Sequence, residues 1–501
     1  MTTLKSFDPR TGTANGAAVP TPLHEVDDAL AAADGIADEL AQLPPAVRGG
    51  WLRSIATALE RDEGLLELAD AETAKGTERL QAELVRTVEQ LRFYADVAEE
   101  GSWLRATLDH LPTGVPLCSV RQPLGPVAVF GASNFPFAYG VLGNDTGSAV
   151  AAGCPVAVKA HPAHPLLSER LGALAGTALA DAGAPEATFT LVAGFEAGQR
   201  LVTSPATAAV GFTGSQAGGM ALWRLAAERP VVIPVYAEMG TVNPVLVTPS
   251  GGPRFAELTP ELVNAFTLGM GQYCTKPGLV LAPRGSGAAD AIARAVTIAA
   301  PRGWLLTSAI ADAFHSGLRE LQQAGASVVA TVPGPDGGWS APTTVLSVEA
   351  PALRREPRLL EECFGPVLLV AEYDDLEHLH TLLDELPGAL AASVITAGPG
   401  DPDVSRLVHR IADTVGRVVV DGWTPGVGLT WGQQHGGPWP ATTVPSATSV
   451  GAAALDRFTR PVAYEGVPDD ALPPPLRTDN PWRIPRRVGG TLQPDAASST
   501  S

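Results

Sequence analysis

The stretch Pro126-Val127-Ala128-Val129-Phe130-Gly131 is a four-residue apolar run opened by proline and closed by glycine. A run of that length between turn residues reads as a buried strand. Three more follow at 155–158, 189–192 and 210–212, with helical patterning at 166–179 and 216–227. Short apolar strands alternating with helices predict an α/β fold on a parallel sheet. A second block of this texture spans about 244–420, with strands expected at 245–247, 278–281, 327–332, 344–348, 367–370, 393–395 and 417–420. Two such units predict a ligand cleft between them. Upstream, Val47, Trp51, Ile55 and Leu59 recur every fourth residue, and Leu80, Leu84, Val88, Leu91, Ala95 and Ala98 follow a similar rhythm. Both predict amphipathic helices, so the first hundred residues read as mostly helical.

The 501 residues carry 34 Lys+Arg against 53 Asp+Glu, a net charge of −19, and 45% are hydrophobic. That composition is globular, at about three domains' length. Its acidity argues against a nucleic-acid or anionic-membrane partner, since both need basic patches. The longest stretch without Lys or Arg, 122–158, contains Asp145 and is broken by Pro123, Pro126 and Pro136, so no membrane-spanning helix is expected there. The start, MTTLKSFDPRTGTANG, lacks the apolar core of a secretory signal, and a cytoplasmic location is expected. Cys118, Cys154, Cys274 and Cys363 are too far apart for metal knuckles and too few for a disulfide scaffold.

Chemistry concentrates in a few segments. Cys274 lies in Gly269-Met270-Gly271-Gln272-Tyr273-Cys274-Thr275-Lys276-Pro277-Gly278, a loop whose glycines let backbone approach a ligand. Lys276 nearby would favour the thiolate, so Cys274 is a candidate nucleophile, whereas the apolar neighbours of the other three cysteines read as core. Glu238, in Val235-Tyr236-Ala237-Glu238-Met239-Gly240, reads either as a capping residue at a strand end or as a general base whose pKa an apolar setting raises. Asn134 follows the first strand in a turn, where its amide serves the turn or an oxyanion. No GxGxxG occurs, but Gly211-Phe212-Thr213-Gly214-Ser215, with Gly218-Gly219, follows a strand and opens a helix. That is either a tight turn or a phosphate cradle. His161 and His164 lie among prolines at non-helical spacing, and no metal site is expected.

Taken in order, Asn134-Phe135-Pro136, Lys159, Phe212-Thr213-Gly214-Ser215, Glu238-Met239-Gly240, Gly271-Gln272-Tyr273-Cys274 and Glu362-Cys363-Phe364-Gly365-Pro366 resemble the signatures of the aldehyde dehydrogenase superfamily. The likeness covers about 5–490. Val158–Pro165, Cys274-Thr275-Lys276-Pro277-Gly278, the run from Gln434 to Thr443 and Ser449-Val450-Gly451 are similar to the group of α-ketoglutaric semialdehyde and NADP-dependent fatty aldehyde dehydrogenases. The segments 423–433 and 444–448 depart from that group and border the expected substrate mouth.

The resemblance implies a Rossmann-type cofactor domain (1–104 and 124–238), an α/β catalytic domain (239–470), a small β oligomerisation arm (105–123 and 479–495) and a disordered tail (496–501). It implies a homodimer or homotetramer. It implies that Cys274 attacks an aldehyde to give a thiohemiacetal and then a thioester, that Asn134 stabilises the oxyanion, and that Glu238 activates water. Lys159 and Glu362 would hold ribose hydroxyls, Phe364 would meet the nicotinamide, and Gly214, Ser215 and Gly219 would meet the pyrophosphate. Pro162 stands where NAD-preferring relatives carry a Glu, so NADP is the expected cofactor, with NAD accepted and His161 and Arg200 as phosphate partners. A CoA-acylating dehydrogenase and a catalytically silent relative are the alternatives; Glu238 argues against the first, and Cys274, Glu238 and Asn134 together against the second.

Overall fold

The computed structural model describes residues 3–494 and is organised around two mostly parallel sheets. The first has the order Phe189–Val192, Val156–Lys159, Val127–Phe130, Ala209–Gly214, Val235–Met239, all parallel. Its strands are apolar throughout because both faces are covered. Val127 and Val129 pack with Trp51, Leu91 and Tyr94, while Ala128 and Phe130 pack with Val26, Leu30 and Leu201. The fifth strand, Val235–Met239, has no counterpart among the predicted strands, and it carries Glu238 one residue from its end.

The second sheet runs Ser327–Val332, Thr343–Glu349, Val367–Tyr373, Pro277–Pro283, Asn243–Val247, Ala392–Ile395, Val418–Val420. All seven expected strands are present, their ends shifted by up to three residues. Only Ser327–Val332 runs antiparallel to its neighbour. Leu246, Leu279 and Leu281 face one core, and Val245, Val247 and Val280 the other.

Other parts depart from the sequence reading. The first hundred residues hold four helices (Leu23–Gln42, Pro45–Arg61, Leu65–Thr73, Thr77–Glu100), but they begin with a hairpin, Leu4–Asp8 with Thr13–Ala18. The second strand, Thr-Ala-Asn-Gly-Ala-Ala, has no apolar alternation to reveal it. A third sheet pairs Pro116–Pro123 with Thr107–His110, and the latter with Arg486–Val488, which then turns into Thr491–Gln493. Its outer strand is Thr459–Glu465, a segment expected in the 239–470 unit and paired instead along Pro116–Pro123. The tail expected at 496–501 lies outside the described residues. Among those described, no helix is long and apolar enough to cross a membrane.

Arg457 ties the late chain to the first sheet's helices. Its guanidinium donates to Asp145 at 2.7 Å and Ser148 at 3.1 Å, and both charged side chains are under a tenth exposed. Removing one partner of a buried pair leaves an uncompensated charge. Arg457→Met is expected to cost about 3–5 kcal/mol of stability, read as a lowered Tm in scanning calorimetry.

Candidate active site

Cys274 follows a turn made of left-handed backbone. After the helix Gly252–Thr267, Gly269 (φ 56°), Met270 (φ 57°) and Gly271 (φ 64°) reverse the chain. A Cβ on Gly271 would stand 2.2 Å from the carbonyl oxygen of Gly365, so only glycine lets this turn touch the loop carrying Glu362 and Phe364. The Asn243 amide, at the start of its strand, donates to the carbonyls of Cys274 (2.8 Å) and Lys276 (3.0 Å). Cys274 emerges part-exposed, whereas the other three cysteines are buried.

Two side chains meet its sulfur. His435 Nε2 lies 3.7 Å from Cys274 Sγ and 3.1 Å from Glu238 Oε1, and ligand atoms of all three residues fall within 4.8 Å of one another. Ser449 Oγ donates to the other Glu238 oxygen. The loop bearing His435 is fixed by its own backbone: His435 N–H donates to Thr448 Oγ1 at 2.9 Å, and Ser449 N–H to His435 C=O at 2.9 Å. It is also stitched to the Glu238 strand by Met239 N–H to Ala441 C=O at 2.8 Å. Cys, His and Glu are the donor types of a zinc site. Here His435 Nε2 stands between the sulfur and the Glu238 carboxylate, an arrangement that can also pass a proton from one to the other.

The electrostatics correct two expectations. Burial pushes the Glu238 carboxyl up, but His435 and Ser449 pull it down further, and the net shift is below the ordinary value. Glu238 is therefore a carboxylate at neutral pH and not a raised-pKa acid. The Cys274 thiol goes well above its usual range because of burial and the nearby carboxylates Glu238 and Glu362. Lys276 is not its counter-charge: its ammonium is buried and donates to the carbonyls of Val367 (2.9 Å) and Cys363 (3.3 Å). Asn134 is 6% exposed, and its amide donates to Gln272 C=O at 2.8 Å, beside the Cys274 turn.

A cavity of about 810 Å³ opens from this cluster. Asn134, Lys159, His161, Gly214, Ser215, Glu238, Cys274, Glu362 and Phe364 all line it. Gly219 does not: a Cβ there would meet Met239 at 2.8 Å, so it packs helix Gln216–Ala227 on its sheet, and Gly218 lines the cavity instead. Ser215 Oγ caps that helix, accepting from Gly218 N–H at 3.2 Å. Arg200 is outside the lining and is paired with Asp27. His161 is held neutral, its pKa driven well below normal by burial, and its Nδ1 accepts from Ala163 N–H at 3.1 Å. Lys159, lowered to about 8 by burial, is joined at the cavity by Lys5 and Phe7 from the unpredicted hairpin. Glu362 Oε1 is buried without a partner, and burial, partly offset by Lys276, raises this carboxyl to about 7. A large apolar-walled cavity with an orphan acceptor and an unpaired amine suits a dinucleotide with ribose hydroxyls.

The family model described as "Aldehyde dehydrogenase family" matches residues 1–437. The chain belongs to the aldehyde dehydrogenase family. It is an NAD(P)-dependent oxidoreductase that oxidises an aldehyde to the acid. Alpha-ketoglutaric semialdehyde dehydrogenase 2 of Azospirillum brasilense is 41% identical over 98% of this chain and 96% of its own. The alpha-ketoglutaric semialdehyde dehydrogenase of Acinetobacter baylyi is 37% identical over 94% and 92%. Betaine aldehyde dehydrogenase from Staphylococcus aureus, solved with NAD+, shares the fold with a TM-score of 0.81 at 19% identity, covering 93% of this chain and 92% of that one.

His435 is the residue of this cluster that single-motif reading passes over. It sits inside a quoted segment, Gln434-His435-Gly436-Gly437, but 161 positions from Cys274, so only the fold reveals the contact. Gly271→Ala is expected to remove most activity by separating the Cys274 turn from the Gly365 loop. Initial rates, with near-ultraviolet circular dichroism to verify folding, check this.

Proposed function

We propose that this aldehyde dehydrogenase oxidises a carboxylate-bearing semialdehyde, of the α-ketoglutaric type, with NADP preferred over NAD, and acts as a homodimer or homotetramer. The single observation carrying the chemistry is the Cys274–His435–Glu238 contact, two of whose members, Cys274 and Glu238, line the large cavity. The substrate reading is supported by the names of the two relatives at 41% and 37% identity.

In this reading His435 Nε2 takes the Cys274 proton and passes it to the Glu238 carboxylate 3.1 Å from the same nitrogen, so that the sulfur is freed by a histidine base. The freed sulfur attacks the aldehyde carbon. The second N–H of the Asn134 amide meets the oxyanion, a contribution of about 2.7–4 kcal/mol for such a donor. Bound NAD(P) supplies the acceptor for the hydride lost from that carbon. The resulting thioester on Cys274 is hydrolysed by water deprotonated by Glu238 with His435. Lys159, Glu362 and Phe364 would hold the cofactor.

NADP preference is supported by Pro162 in place of a carboxylate and by two cations, Lys159 and Lys5, on the cavity wall. Neutral His161 contributes an uncharged N–H, since its Nδ1 is taken.

Three outcomes follow from these roles. Cys274→Ala abolishes NADPH formation, and turnover equal to wild type would refute the mechanism. His435→Gln lowers kcat/KM about 10²–10⁴-fold, the range for a lost general base. The Lys159 ammonium is populated below about pH 8 and lost above it, so the NADP-to-NAD ratio of kcat/KM should fall as pH rises through that value. A flat ratio, or a strong NAD preference throughout, contradicts the cofactor assignment.

A further inference from the structure

On a chain of net charge −19, cations without counter-charges near the nucleophile stand out. Arg86, from the helix Thr77–Glu100, and Arg417, just before the strand Val418–Val420, are both half-buried. Among the described residues neither forms an ion pair; the salt bridge two turns earlier on the same helix belongs to Arg79, which meets Glu83 at 3.1 Å. Arg86 and Arg417 are held only by backbone carbonyls of one loop. Arg86 Nη1 donates to Val427, and Arg417 donates to Thr424 and, at 2.8 Å, to Gly426. Arg86 Nη2 and Arg417 Nε are buried with no partner.

That loop reaches the nucleophile. Thr424 Oγ1 donates to the carbonyl of Thr275, the residue after Cys274, at 2.5 Å. Tyr139 stands beside it, its ring edge-on to His435 with centroids 6.1 Å apart. These groups lie close enough to influence one another's charge. Burial raises the Tyr139 phenol, Glu238 adds to the rise and Arg86 opposes it. Arg417 is lowered by burial and supported by Tyr139 and Cys274. Half-desolvated guanidinium groups without a carboxylate are costly, and an arriving anion returns that cost. A guanidinium presents a planar fork of N–H donors matched to carboxylates. Two of them match an α-keto acid end, which offers a carboxylate and an adjacent keto oxygen.

We propose that Arg86 and Arg417 form the subsite for the far end of the substrate and select an α-keto acid semialdehyde over an uncharged aldehyde. This rests on the semialdehyde reading above. The test compares kcat/KM for α-ketoglutaric semialdehyde with that for pentanal in the wild type and in Arg86→Met and Arg417→Met. Each Met variant should lower the semialdehyde-to-pentanal ratio about 10- to 100-fold, the loss expected for a charge-assisted hydrogen bond. Arg86→Lys should restore part of it. Because both arginines also pin the loop, Arg86→Gln and Arg417→Gln, which keep a donor for a loop carbonyl but no charge, carry the same expectation if a Met variant fails to fold. An unchanged ratio, with both rates falling together or neither falling, makes these residues props of the loop and overturns the subsite. A wild type that oxidises pentanal and not the semialdehyde overturns the substrate reading itself.

Discussion

The thiol of Cys274 sits where burial and two carboxylates, Glu238 and Glu362, all oppose its ionisation. A thiolate is the nucleophile, so proton removal has to be built into the site. Every nearby polar contact relates to that requirement. Glu238 stays ionised because His435 and Ser449 hold it, and His435 touches both the carboxylate and the sulfur. The resting state that results is a protonated thiol with His435, the base proposed for it, in contact.

Backbone geometry makes the contact exact enough to work. The left-handed turn before Cys274, the glycine-to-glycine approach of Gly271 and Gly365, and the Asn243 clasp fix the nucleophile from one side. The 435–449 loop, stitched to the Glu238 strand, fixes the base from the other. Lys276, spaced two residues from Cys274, spends its charge on the Glu362 loop. Nucleophile and cofactor loop are therefore one assembly.

Much of this was legible in the order of residues. Apolar runs such as 127–130 and 245–247 read as doubly covered strands because they are short, rich in β-branched residues and bounded by proline or glycine. Glycine-rich turns and the Glu362–Pro366 segment pointed to the cavity that the fold assembles. What stayed hidden depends on distance in the chain. The His435 contact spans 161 positions and Lys5 reaches the cavity on a hairpin with no alternating pattern. The downward shift of Glu238 is not visible in its apolar sequence neighbourhood because the histidine that causes it is supplied from elsewhere. Gly219 and Gly218 exchange roles through a one-residue difference in helix phase that sequence spacing does not resolve.

The protonation state of Cys274 is the most direct point of contact with experiment. Thiolate absorbance in the ultraviolet, taken as the difference between the wild type and Cys274→Ala across a pH titration, measures it without turnover. A protonated thiol at neutral pH, with thiolate growing only on the alkaline side of a free cysteine's range, is the predicted result. A full thiolate signal at neutral pH would contradict the account, because no base in contact with Cys274 would then have a proton to remove.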